Sequence, residues 1–417
     1  MKMNRRQFLT RGLALLTALS TANGWPDLAK AANTLPLTKP VLGSGAGSDP
    51  VLVIVQLDGG NDGINTLIPY GQGAYFDARP TLAYKEKDVL PLTGGIGFHP
   101  SFKQMKTIYD AGHLAIVQGV GYPQPNRSHF RSQDIWQTAV PEVIKSTGWI
   151  GKYMETALSK DVNPLKALEI GRNPSKIFKT ANLSAPILQA VETYHWLNPN
   201  TPDEQKNRMA RAFQRMYGLD LNNTKISVAT QRGADAYASV DAIHSLVSGY
   251  RNVVQYPTHT FGKDMQLIAK LLASKSGTRV FFAKLGGFDD HADERIQHAD
   301  LLKEYDDTIG AFFTDLKQHG LDRNVVVLTY SEFGRRVKEN GSKGTDHGAA
   351  APVFVLGSRV RGGFYGEYPS LTKLDNNGDL IYNVDFRSIY ASLLEGWLSA
   401  DARAVLGKNY EQLKLFL

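Results

Sequence analysis

Val51-Leu52-Val53-Ile54-Val55-Gln56-Leu57-Asp58-Gly59-Gly60-Asn61-Asp62-Gly63 is the stretch whose reading decides the fold. Its first five residues are an unbroken apolar run of β-branched side chains and leucine, which suits a strand buried on both faces of a parallel sheet. The same texture recurs at Leu114-Ala115-Ile116-Val117, Thr278-Arg279-Val280-Phe281-Phe282, Val325-Val326-Val327-Leu328 and Pro352-Val353-Phe354-Val355-Leu356. Helical segments separate these runs. The clearest is residues 300–317, where Leu301, Leu302, Tyr305, Ile309, Phe312, Phe313 and Leu316 recur every three or four positions and mark a face that packs on the sheet. Strand and helix in alternation predict an α/β fold with a mostly parallel central sheet sandwiched by helices. Residues 50–417 are expected to form that one domain, with a helical insertion or cap over about 195–260.

Ahead of the first strand, Asn4-Arg5-Arg6-Gln7-Phe8-Leu9 sets two adjacent arginines before an apolar stretch at residues 13–19. That stretch is shorter than the roughly 20 residues a membrane-crossing helix needs. Ala29-Lys30-Ala31 then offers a small-x-small cleavage site. Residues 1–31 therefore read as a twin-arginine signal peptide, and residues 32–49, with Pro36, Pro40 and Gly43-Ser44-Gly45-Ala46-Gly47, as a flexible linker. The expected destination is the periplasm or the outside of the cell, with the twin-arginine translocase as partner during export and no stable membrane span after cleavage.

The 417-residue chain carries a formal charge of +7, of which the signal segment supplies +4 through Lys2, Arg5, Arg6, Arg11 and Lys30 against Asp27. The remaining +3, with no Lys/Arg-rich run interleaved with aromatics, argues against a nucleic-acid partner. There is no cysteine, so a bound metal must be held by His, Asp, Glu or neutral oxygen ligands.

In open parallel sheets ligands bind beyond the carboxyl ends of strands, so the residues following each run carry the chemistry. Asp58 and Asp62 flank glycines after the first run, a pattern that fits either an ion site or a tight turn. Asp289-Asp290-His291 follows the third run through Gly286-Gly287-Phe288 and offers carboxylate and imidazole donors, or else a helix cap. Glu332, Arg335 and Arg336 follow the fourth run, and Asp346-His347 precedes the fifth. After the second run comes Arg127-Ser128-His129-Phe130 at a helix start, where Ser128 is either an N-cap or a nucleophile next to a metal. Trp149 and Tyr194 read either as contacts to a polymer or as core.

On these motifs, and on Ile64-Asn65-Thr66-Leu67-Ile68-Pro69-Tyr70, the sequence resembles the domain-of-unknown-function 1501 family, twin-arginine-exported relatives of the alkaline phosphatase/sulfatase superfamily. The resemblance implies that superfamily's sheet, with a metal-assisted site at its carboxyl edge. It implies a divalent cofactor, zinc, manganese or calcium, drawn from Asp58, Asp62, Asp289, His291, Glu332, Asp346 and His347. It further implies Ser128 as nucleophile, Arg127 or Arg335 holding the non-bridging oxygens, and a small or polymeric anionic ester as substrate. One departure stands out: Glu332-Phe333 takes the place of the superfamily's Asp-His, removing an imidazole for which His129 or Asp346 could substitute. A non-catalytic metal- or anionic-glycan-binding protein on the same scaffold is the competing reading.

Overall fold

Val51–Asp58 forms strand β1 at the middle of the main sheet, and its side chains alternate between two cores. Val51, Val53, Val55 and Leu57 enter one; Leu52 and Ile54 enter the other. A strand buried on both sides has no polar face to show, which is why its sequence runs apolar without alternation. The structure is a computed structural model, and it describes residues 49–417 except 162, 181, 182, 184, 192, 193, 195–201, 203, 206–238, 241 and 252. The expected signal peptide, nearly all of the linker and most of the expected 195–260 insertion lie outside the described residues; within the last of these, residues 242–247 are helical.

After β1 come helix α1 (Lys103–Asp110), strand β2 (Leu114–Gly121), helices α2 (His129–Thr138) and α3 (Trp149–Ala157), and strands β3 (Ala167–Ile170) and β4 (Ile187–Leu188). Helix α4 (Thr260–Ala273), strand β5 (Val280–Gly286), helix α5 (Glu294–Gln318) and strand β6 (Val325–Ser331) follow. The chain then forms a hairpin of β7 (Arg335–Glu339) and β8 (Thr345–His347), strands β9 (Ala351–Leu356), β10 (Gly363–Tyr365) and β11 (Val384–Asp385), and helices α6 (Phe386–Gly396) and α7 (Ala402–Leu406). Among the described residues the main sheet has nine strands in the order β10-β2-β9-β6-β1-β5-β3-β4, with β11 beside β2.

The α/β architecture is as expected, with α1, α4 and α5 packed on one face and α2, α3, α6 and α7 on the other. Trp149 belongs to the second core and stacks on Tyr390 with ring centroids 4.2 Å apart. No helix among the described residues is long and apolar enough to cross a membrane.

Two differences from the sequence reading matter for the site. Pro352-Val353-Phe354-Val355-Leu356, expected to run parallel, lies in β9 and is antiparallel to both β2 and β6. The cause is the connection: β6 reaches β9 through a hairpin and not a crossover helix, and a chain that reverses without a crossover must pair antiparallel. Helix α5 also starts six residues before the expected 300, because its first turns bury polar Glu294 and His298, which apolar periodicity does not register.

Candidate metal centre

The carboxyl ends of β1, β5 and β6 meet at one edge of the sheet, where the start of α2 and the end of β8 join them. Gly59 allows the closest approach. Its φ of +122° is unfavourable for other residues, and a Cβ there would stand 2.4 Å from the backbone nitrogen of Asp289. The loop after β1 therefore lies directly against the loop after β5.

Arg335 rivets these loops. Its guanidinium, almost fully buried, donates from Nε to the carbonyl of Gly60 (2.6 Å) and from Nη1 to that of Thr345 (2.8 Å). Nη2 donates to the carbonyls of Gly59 (2.6 Å) and Phe288 (2.8 Å) and to Asp289 Oδ1 (2.9 Å). Expected to hold substrate oxygens, Arg335 instead has its donors committed to four backbone carbonyls and to Asp289, an arrangement that shapes the edge.

At that edge Asp289 Oδ1 lies 2.9 Å from His347 Nε2, 2.9 Å from His291 Nε2 and 3.3 Å from His129 Nε2. His347 Nε2 is in turn 3.2 Å from His129 Nε2 and 3.0 Å from His291 Nε2. The opposite nitrogens decide what this means. His347 Nδ1 lies 2.9 Å from the carbonyl of Arg127, which can only accept, so Nδ1 carries the proton. His129 Nδ1 lies 2.8 Å from Glu332 Oε1, a buried carboxylate that also accepts the Gly59 N–H at 2.9 Å. In their neutral forms both rings therefore aim Nε2 lone pairs at each other and at a carboxylate oxygen, an arrangement that repels unless a metal ion or a proton sits among the three atoms.

Neighbouring charges shift two of these groups. The hydrogen bond to Glu332 raises His129 above the ordinary imidazole value, against the lowering effect of burial. Burial raises Asp289, but His347 and Arg335 beside it outweigh that and hold it well below the usual carboxylate range. His129, Asp289 and His347 together have the geometry of a metal-ligand set, and His291 flanks it.

Among the expected ligands, Asp289, His291 and His347 come together here; the others do not. Asp62 is buried in an ion pair with Arg79, caps the short helix Gly63–Thr66, and has no oxygen turned to the edge. Burial would raise its pKa, but Arg79 overrides that and holds it far below the carboxylate range. Glu332 orients His129 from behind. Asp346 is exposed, 3.8 Å from His291 Nδ1. Asp58 accepts from Gln133 and lies 3.6 Å from Lys284 Nζ, and burial raises its pKa.

Arg127 is half-exposed, with its guanidinium 3.5 Å from buried Asp379. Ser128 occupies the N-cap position of α2 but makes no side-chain capping bond, and it is exposed. His129 is the residue whose importance linear reading underestimates: it sits one position past a helix cap, with no spacing motif to mark it. Phe333 fills the space next to it, its ring centroid 4.8 Å from both His129 and His347.

Beneath the centre, Glu294 accepts from Thr345 Oγ1 at 2.6 Å through Oε2, while Oε1 has no such partner. Burial, and then the charge of Asp62, push Glu294 up to about 9, so it is protonated at neutral pH. A carboxyl whose pKa is raised on folding contributes stability that is fully present below its ordinary 4.5 and is lost as pH rises towards 9. Glu294→Gln copies the neutral acid. Urea unfolding between pH 5 and pH 9 is expected to show the wild type losing stability as pH rises and the variant losing less; parallel curves would refute the protonated assignment.

The family described as "Protein of unknown function (DUF1501)" matches residues 115–386. No curated protein matches the chain. Similar solved structures include a protein in the alkaline phosphatase superfamily from Vibrio parahaemolyticus, at 13% identity over 82% of this chain and 70% of that one, TM-score 0.34. The C-terminal periplasmic domain of EcEptC from Escherichia coli, in complex with Zn, is 10% identical over 75% and 74%, TM-score 0.33. PsFucS1 sulfatase from Pseudoalteromonas sp. is 13% identical over 93% and 75%, TM-score 0.37. Identities and TM-scores this low leave the activity of the present chain to be argued from its own residues.

Proposed function

The chain belongs to the DUF1501 family, whose description assigns no activity, and from its site we propose that it is an exported, metal-dependent hydrolase or transferase of phosphate or sulfate esters. The observation that carries the reading is the convergence of His129 Nε2, His347 Nε2 and Asp289 Oδ1 with both Nδ1 atoms already donating. His129, Asp289 and His347 would hold one divalent ion, with His291 as a fourth donor. An imidazole-rich set favours zinc or manganese over calcium. When bound, the ion supplies Lewis-acid stabilisation of negative charge on the ester oxygens.

The chain's own groups supply the rest. Glu332 keeps the Nε2 lone pair of His129 pointed at the centre, and the guanidinium of Arg127 is available to non-bridging oxygens. Ser128, adjacent in sequence to His129 and free of a capping bond, supports a role as nucleophile. Its Oγ would bond to phosphorus or sulfur as the bond to the leaving oxygen breaks. The hydroxyl proton passes to water and the leaving oxygen gains a proton from water; hydrolysis of the seryl ester then restores the hydroxyl. Ser128→Ala is expected to lower turnover of 4-nitrophenyl phosphate or sulfate by at least about 10³-fold. Undiminished turnover would move the attack from Ser128 to water.

One observation favours the second reading, a non-catalytic metal or anionic-glycan binder: Phe333 packs where a further imidazole would be needed for a second ion. Metal content with no turnover of any simple ester would select it. Export rests on Arg5 and Arg6. An Arg5→Lys, Arg6→Lys variant is expected to stay in the cytoplasm on cell fractionation, and its normal export would remove the twin-arginine proposal.

A further inference from the structure

A pocket of about 130 Å³ opens beside the metal centre, sharing Glu332 and Phe333 with it. Its floor is apolar and buried, formed in part by Trp136, Phe333 and Leu380. Ile381 and Tyr382 stand at its more exposed rim. Trp136 is held flat by Tyr330, with centroids 4.7 Å apart and planes 5° from parallel. On its other contacts the indole packs against Phe386, with centroids 4.5 Å apart, so the aromatic surface that Trp136 gives the pocket is fixed in place.

The charges of the wall are one-sided. Glu332 and Asp375 are its carboxylates, and no Lys, Arg or His lines it. Such a wall disfavours an anion. The cationic groups lie elsewhere: Arg127 and Arg336 stand 3.5 and 3.4 Å from buried Asp379, and none of the three lines the pocket. The pocket wall itself therefore offers no cation to an anionic group.

We infer that this pocket receives the uncharged part of the ester, and that the substrate class is a monoester of a neutral, apolar ring-bearing alcohol rather than a polyanionic chain. The inference rests on the hydrolase reading for the words "ester" and "substrate", but the pocket's preference for a neutral ring is independent of it. The rigid aromatic and aliphatic wall of Trp136, Phe333 and Leu380, with no cation in it, is complementary to a flat apolar ring.

Two measurements on the full mature protein separate the failure of this inference from the failure of the hydrolase reading. In the first, kcat/KM is compared for 2-phenylethyl phosphate and ethyl phosphate, whose leaving groups are of similar basicity. The phenyl ester is expected to be better by about tenfold or more, and Ile381→Trp, which narrows the rim, to reduce that ratio at least about threefold. In the second, 2-phenylethanol is titrated by calorimetry into metal-loaded and chelator-treated protein. Saturable binding to both is expected, weakened at least about fivefold by Ile381→Trp. Binding of the alcohol without turnover of either ester would uphold the pocket and sink the hydrolase. Absence of saturable binding, equal kcat/KM for the two esters, or binding unchanged in Ile381→Trp would overturn the inference.

Discussion

Arg335→Met is expected to lower unfolding stability by about 3–5 kcal/mol and to remove tight metal binding with it. The substitution keeps the apolar stem and deletes the fork. Four carbonyls, from Gly59, Gly60, Phe288 and Thr345, then lose a donor in a site closed to water, and Asp289 loses a neighbouring positive charge. Each unsatisfied buried acceptor costs about 1–3 kcal/mol, and relaxation of the loops absorbs part of the sum. Those loops carry Asp289 and His291 on one side and His347 on the other, so their relaxation spreads the ligands. Arg335→Lys should rescue only part, since an ammonium cannot match the planar fork. Urea unfolding and metal titration of the three proteins check this; wild-type stability in Arg335→Met would show that the arginine is not the rivet described here.

The second large effect is at His129. His129→Ala is expected to weaken metal affinity by more than about 100-fold, beyond what loss of a supporting residue costs, with a smaller stability loss of about 1–3 kcal/mol from Glu332, which keeps the Gly59 N–H but loses the imidazole. Asp346→Ala is the contrasting case. Its carboxylate is exposed and 3.8 Å from His291 Nδ1, so metal affinity should stay within about twofold of wild type. Equal losses in the two variants would mean that the ligand set has been drawn wrongly.

The strands and the three clusters around Asp289, Glu332 and His347 were legible because buried parallel strands are apolar throughout and functional loops follow their ends. His347 shows where that logic is incomplete. Placed before a parallel strand it would stand at the opposite edge of the sheet; it reaches the site because β9 runs antiparallel, a direction set by the hairpin before it. Asp62 looked like Asp289 in sequence, a carboxylate among glycines after a strand. What separates them is Arg79, which claims Asp62 in the interior, and no local pattern announces that pairing. Glu332 was recognised as a site residue, but the step from ligand to support of His129 depends on a contact between residues 203 positions apart.

The measurement that bears most directly on the proposed metal centre is the metal content of mature protein purified without added chelator, by elemental mass spectrometry, for wild type and His129→Ala. One equivalent of a divalent transition ion per wild-type chain, lost from the variant, is the expected result. A wild-type protein that binds no such ion when offered zinc or manganese, or a His129→Ala protein that retains a full equivalent, would contradict it.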